Sequence, residues 1–235
     1  MIDCFIITCE HGGNRIPATY RRLFRDQRRL LDSHRGYDPG ALLMANDLAS
    51  ACRAPLVTST ISRLLIDLNR SPGHPQLFSV AIRGASAALR ATIVEQHYLP
   101  YRAEVERLVG QAVSRRRRVI HISSHSFTPE LNGRVRNADV GLLYDPGRRG
   151  ETELCARWQA SLAELAPALR VRRNYPYAGK GDGLTSYLRK QFSPAVYAGI
   201  ELEVNQGIVF AAGRRWTKLR RVLIDTLRAA HTGDS

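Results

Sequence analysis

The sequence predicts an α/β fold of three layers, with helices on both faces of a mainly parallel mixed sheet. Short apolar runs at 3–9, 54–59, 119–124, 139–144, 168–172 and 196–204 are bounded by turn-forming or charged residues, as buried strands are. Helix-periodic segments fill most of the intervals, and that alternation builds βαβ units around a covered sheet. With 235 residues and neither repeat nor low-complexity linker, one domain spanning 1–235 is expected.

Each element follows from its own pattern. The first strand carries Phe5, Ile6 and Ile7 and runs out at Glu10-His11-Gly12-Gly13. Residues 40–52 set Ala41, Leu42, Ala45, Leu48 and Ala49 at helical spacing, and 54–59 return as a strand. The helical region 86–114 is expected to break at Pro100, which has no N–H to continue the ladder. Its second half places Val105, Leu108, Val109, Ala112 and Val113 on one stripe. The third strand ends at His125, and the helix over 151–166 separates the strands at 139–144 and 168–172. After the alternating strand at 196–204, a helix over 216–230 closes the pattern. Segments 71–75, 126–138 and 174–183, rich in Gly, Pro, Asn and Ser, read as loops of functional length.

Composition excludes some classes. No run approaches the roughly 18 apolar residues of a membrane span, and no export signal is recognisable, so a cytoplasmic protein is expected. Cys4, Cys9, Cys52 and Cys155 show no paired spacing and read as free thiols. The net charge of +14 permits a nucleic-acid partner. Its arginines are nevertheless spread along the chain, and the single run Arg115–Arg118 has no interleaved aromatics for stacking bases. A solvated helix end accounts for that run better, and nucleic-acid binding is the minority reading.

The chemistry-bearing residues stand where strands end. His11 and His125 each follow an apolar run, and carboxyl ends of strands are where open α/β sheets bind ligands. Two imidazoles there suggest a metal site completed by a carboxylate, with Glu10, Asp38 and Asp67 as candidates. Asp38 also suits a helix cap ahead of Pro39, and Glu10 suits a group that orients a ligand. His121 shares a strand face with His125 but lies deeper, as a core residue would. In 63–71, Asn69 and Arg70 put a polar amide beside a planar cation, which with Arg63 suits a substrate carboxylate. Glu201 and Glu203 share one face of the last strand, and a carboxylate there can serve as general base. Tyr177 lies in the Gly-rich 174–183 loop, where it can close over a substrate as a mobile lid does.

Taken in order, Cys9-Glu10-His11…Pro17, His34…Tyr37-Asp38-Pro39-Gly40-Ala41, Ser62–Arg70, His125-Ser126-Phe127-Thr128-Pro129, Pro176-Tyr177-Ala178-Gly179 and Glu201–Asn205 resemble the N-formylglutamate amidohydrolase family over nearly the whole chain. That family is similar in fold to zinc carboxypeptidases and aspartoacylases. The resemblance implies one Zn2+ held by His11, His125 and Asp38, and a substrate carboxylate bound by the Asn69–Arg70 pair. It favours Glu203 as the base, with Glu201 as the alternative. Where carboxypeptidases carry a ligating Glu three residues after the first His, this chain has Asn14. Cys-Glu-His also replaces the usual Pro-His-Ser-Gly, which marks a divergent branch. The implied activity is metal-dependent hydrolysis of an N-formyl or other N-acyl amino acid, as in histidine degradation. A zinc peptidase or amidase acting on small or cell-wall peptides is the rival enzyme reading.

Overall fold

The computed structural model describes residues 2–211 and 213–232. Six strands form one sheet in the order β2-β1-β3-β8-β6-β7, and β4 and β5 pair as a small hairpin. They are β1 (Ile2–Cys9), β2 (Leu56–Thr58), β3 (Arg117–Phe127), β4 (Glu130–Leu131), β5 (Arg134–Val135), β6 (Val140–Leu143), β7 (Val171–Arg173) and β8 (Tyr197–Asn205). The helices are α1 (Arg28–Leu31), α2 (Ala41–Cys52), α3 (Val80–Arg83), α4 (Ala87–Ile93), α5 (Leu99–Ser114), α6 (Arg149–Leu165), α7 (Leu184–Gln191), α8 (Gln206–Phe210) and α9 (Arg214–Thr232). A 3-10 segment spans Ala18–Phe24. No helix among the described residues is long and apolar enough to cross a membrane, and the four cysteines are free thiols.

The sheet is mixed. β2, β1, β3 and β8 run parallel, whereas β6 pairs antiparallel with β8 and carries β7 alongside it. Strand alternation sends neighbouring side chains to opposite faces. Ile7, Ile120, Ile122, Ile200, Leu202 and Val204 join the core beneath α2, α6 and α9. Ile6, Val119 and Tyr197 join the other core, beneath α5 and α7. That second face also carries His121, Ser123, His125, Glu201 and Glu203, by period two from Val119 and Tyr197.

The expected break at Pro100 is not a break. A π-helical turn (Val94–Tyr98) joins α4 to α5, and the Leu99 N–H bonds to Val94 five residues back. Pro100 follows this turn directly, and the shift in bonding pattern carries the chain past the missing N–H without interrupting the helix. The 126–138 loop is likewise more ordered than expected, since β3 extends through Phe127 and the β4–β5 hairpin follows.

Candidate metal centre

Because β1, β3 and β8 run parallel, their carboxyl ends open together. The register then sets His125 directly opposite Glu203, and Ser123 opposite Glu201. His11 arrives two residues past β1, on a turn whose glycines lie flush against the next segment. A side chain at Gly12 would press on the Ser59 carbonyl at 2.9 Å, and one at Gly13 on the Thr60 carbonyl at 2.7 Å. The Asp38 N–H bonds to the His11 carbonyl at 2.9 Å, which ties the third segment to the first. Asp38 is not the helix cap: Gly40 occupies that position of α2, with no side-chain cap bond.

His11, Asp38 and His125 are all buried, and each offers a ligand atom within 4.8 Å of the other two. Asp38 Oδ2 lies 3.4 Å from His11 Nδ1 and 2.9 Å from His125 Nδ1. Ligands about 2.0–2.1 Å from a tetrahedral zinc stand roughly 3.3 Å apart, close to the two distances measured from Asp38. The far nitrogen of each ring is also held. His11 Nε2–H donates to Asp67 Oδ1 at 2.7 Å. His125 Nε2–H points between Glu10 Oε2 at 2.9 Å and Ser123 Oγ at 2.8 Å. Metal-ligating histidines are oriented in this way, with a carboxylate fixing the tautomer and leaving the other nitrogen free for the ion.

Glu10 lies on the Nε2 side of His125, away from Asp38, and its remaining contacts are donors: Ser123 Oγ at 2.6 Å and the Tyr101 hydroxyl at 2.9 Å. Arg63 bridges the other two carboxylates. Its Nε and Nη2 reach Asp67 Oδ2 at 3.1 and 2.6 Å, and its Nη1 reaches Asp38 Oδ1 at 3.3 Å. With the imidazoles neutral, the three carboxylates Glu10, Asp38 and Asp67 outnumber Arg63, the arginine paired with two of them. A dication would balance that buried surplus. Without one, His125 takes a proton. Burial opposes its charged form, but bonds to Asp38 and Glu10 outweigh burial and hold its pKa well above the usual value. The same pairing overcomes burial at Asp38, Glu10 and Asp67, whose carboxyls are all held below the ordinary range.

The two candidate bases differ. Glu201 accepts the Thr185 hydroxyl at 2.9 Å. Glu203 is buried, and its Oε2 has no hydrogen-bond partner among the described residues. Burial, with Asp38 and Glu201 nearby, pushes its pKa up to about 8 against the pull of His125. β6 leaves room for it: a Cβ at Gly141 would collide with the Tyr175 carbonyl and meet Glu203 Cβ at 3.3 Å.

The other predicted residues are less converged. Asn69 Oδ1 accepts the Leu184 N–H, and Arg70 Nη1 donates to the Asp182 carbonyl at 3.0 Å. Neither lines the cleft of about 750 Å³ where Asp38, Arg63, Asp67 and Tyr177 meet. Tyr177 is half exposed, on a segment fixed at both ends. Asn174 Oδ1 accepts the Tyr144 and Gly179 N–H groups, and the Arg189 guanidinium holds the Gly179 carbonyl while paired with buried Glu151. Those ties anchor the segment from which Tyr177 reaches the cleft. Sequence reasoning passed over Ser123, Tyr101 and Arg136. Ser123 had a signal, standing period two from His125; the other two had none, since Tyr101 lies in an amphipathic helix and Arg136 in the irregular segment just after a hairpin.

Two solved structures are similar in fold over nearly the whole chain. A gene product of Agrobacterium tumefaciens is 29% identical with a TM-score of 0.84, covering 98% of this chain and 91% of its own. An N-formylglutamate amidohydrolase from Ralstonia eutropha JMP134 shares the fold at 20% identity and a TM-score of 0.73, over 98% of this chain and 94% of its own. No curated protein matches the chain. The family model for N-formylglutamate amidohydrolase matches residues 3–209, which include His11, Asp38, His125 and Glu203, and the chain belongs to that family.

Proposed function

We propose that this protein is a zinc-dependent amidohydrolase that cleaves an N-formyl, or other N-acyl, amino acid to the free amino acid and the carboxylic acid, with N-formyl-L-glutamate as the first substrate to test. One observation carries the reading. Two histidines turn Nδ1 toward Asp38, with Nε2 of each held by a buried carboxylate, and a partnerless buried glutamate stands opposite one of them. Family membership supports hydrolysis of a linear amide.

His11, His125 and Asp38 would hold the ion, three protein ligands being the number that leaves a position open for catalysis. A bound dication supplies a Lewis acid for the acyl carbonyl and a lowered pKa for attacking water. Glu203 does the proton work. Its Oε2 accepts the proton of the attacking water and delivers it to the departing amine nitrogen, so acid and amine leave in balance. Glu201, tied to Thr185, fixes the start of α7. Arg63 orients Asp38 and Asp67. Arg70, with Asn69 beside it, takes a substrate carboxylate on leaving the Asp182 carbonyl, and Tyr177 walls the cleft over the bound molecule.

The test pairs metal content with formate release from N-formyl-L-glutamate, using zinc-loaded and chelator-treated protein. Release from the loaded sample alone is expected. Stoichiometric zinc without release moves the substrate to other N-acyl amino acids or small peptides, and failure to bind any divalent metal refutes the proposal.

A further inference from the structure

Among the described residues four arginines are buried: Arg102, Arg136, Arg148 and Arg189. Three of them bond backbone carbonyls or a carboxylate. Arg102 donates to the Leu68 carbonyl, Arg148 to the Tyr197 and Phe192 carbonyls, and Arg189 to Glu151. Among the described residues the Arg136 guanidinium bonds no backbone carbonyl and no carboxylate. It lies 4.9 Å from the Tyr177 ring centre, bonding that residue's hydroxyl, and 5.9 Å from the ring centre of Phe127. Its buried Nη1 has no hydrogen-bond partner among those residues, as is also true of Nη2 on Arg102.

Its place in the fold makes that isolation informative. Phe127 and Tyr177 both line the cleft that contains Asp38 and Asp67. Phe127 ends β3 two residues beyond His125, and the Tyr177 hydroxyl is close enough to Glu203 and Asp38 to feel both charges. The Arg136 backbone is fixed, its N–H bonding to the Pro129 carbonyl at 2.8 Å and its carbonyl accepting the Ala138 N–H at 3.0 Å. Two aromatic rings thus hold a planar cation against the wall of the site while excluding water. A guanidinium fork in such surroundings suits a carboxylate, which it can bind with two parallel hydrogen bonds. Arg136 stands behind these two rings rather than in the cleft lining itself, and Arg63, which does line the cleft, is already committed to Asp38 and Asp67.

We propose that Arg136, held between Phe127 and Tyr177, is a specificity residue that receives a carboxylate of the substrate. This rests on the amidohydrolase reading above and adds to it. With Arg70 as a second receptor, the site has two cations for the two carboxylates of an N-acyl dicarboxylic amino acid.

The experiment compares zinc-loaded wild type with Arg136→Gln on three substrates: N-formyl-L-glutamate, N-formyl-L-glutamine and N-formyl-L-isoglutamine. The first has both carboxylates, the second lacks the one on the side chain and the third lacks the α-carboxylate. Wild type is expected to prefer the diacid. In Arg136→Gln that preference should fall at least tenfold against one amide, through KM rather than kcat, and that amide identifies the carboxylate Arg136 reads. An equal loss on all three substrates, or none on any, overturns the inference. Calorimetry with glutarate as a non-reacting ligand separates this from the parent reading. Affinity should drop tenfold or more in the variant, and equal affinity overturns the role of Arg136 whatever the turnover. Conversely, weakened glutarate binding with no hydrolysis of any substrate by wild type would retain the receptor and reject the amidohydrolase reading. Arg136→Lys covers poor folding of the Gln variant. It keeps the charge but loses the fork, and an intermediate preference is expected, with unaltered preference counting against the proposal.

Discussion

Replacing Glu203 with Gln should stabilise the metal-free protein at neutral pH while destroying its activity. The carboxyl has an ordinary pKa of 4.5 and is pushed up to about 8 in the fold, chiefly by burial. Between those values the folded chain keeps the proton and the unfolded chain has lost it. Stability attributable to this group is therefore complete below pH 4.5, falls as pH rises, and levels off above 8. At about 1.36 kcal/mol per pKa unit, the 2.5 units between 4.5 and pH 7 correspond to roughly 3 kcal/mol, rising to somewhat under 5 kcal/mol above pH 8. Gln has nearly the shape of the neutral acid and does not titrate, so it escapes this penalty. Urea unfolding of chelated wild type and Glu203→Gln at pH 5, 6, 7 and 8 reads the difference directly. The variant's advantage should grow by about 1.4 kcal/mol per pH unit across that range. Since both proteins share every other ionisable group, those contributions largely cancel. A pH-independent difference would refute the account of Glu203 as a buried, partnerless acid. Zinc should shrink the gap, because a dication beside Glu203 favours its ionised form, the form a general base requires.

Other variants probe the remaining parts. The double variant His11→Ala/His125→Ala should lose bound zinc and formate release together, and retained stoichiometric zinc by elemental analysis would place the metal elsewhere. Glu10→Gln leaves His125 in place but removes the carboxylate behind it, so zinc affinity by competition with a chromogenic chelator should fall about 10–100-fold. An affinity within twofold of wild type would deny Glu10 its orienting role. Arg189→Met strands the buried Glu151 carboxylate, a change expected to cost roughly 3–5 kcal/mol and to loosen the segment carrying Tyr177. Denaturant unfolding measures the cost, and a loss under 1 kcal/mol would show that the pair does not hold that segment.

Much of the molecule was legible because its signals are local. The apolar runs ending at His11 and His125 became β1 and β3, and the Glu201/Glu203 alternation became β8 with both carboxylates on one face. Other features were hidden because their causes are remote. Pro100 reads as a break only if the preceding turn is assumed to be α-helical, and the π turn removes that assumption. The composition of the 174–183 loop gives no hint that Arg189, itself anchored on Glu151 in a different helix, bonds the Gly179 carbonyl within it.

The sequence by itself determined the six strands of the main sheet, the longer helices α2, α5, α6 and α9, and which side chains stand at strand ends, since alternation and helical period are set by residues a few positions apart. Tertiary structure decided what those side chains do. His11 meets Asp38 across 27 positions and Asp67 across 56, while Ser123 reaches Glu10 across 113. No local pattern specifies which ring nitrogen faces a carboxylate and which is left toward Asp38. Nor does one reveal that Arg70 turns onto a carbonyl while Arg136 lies buried between two rings. Those outcomes depend on strand order and register, which bring distant segments into contact in an interior where an unpaired charge is costly.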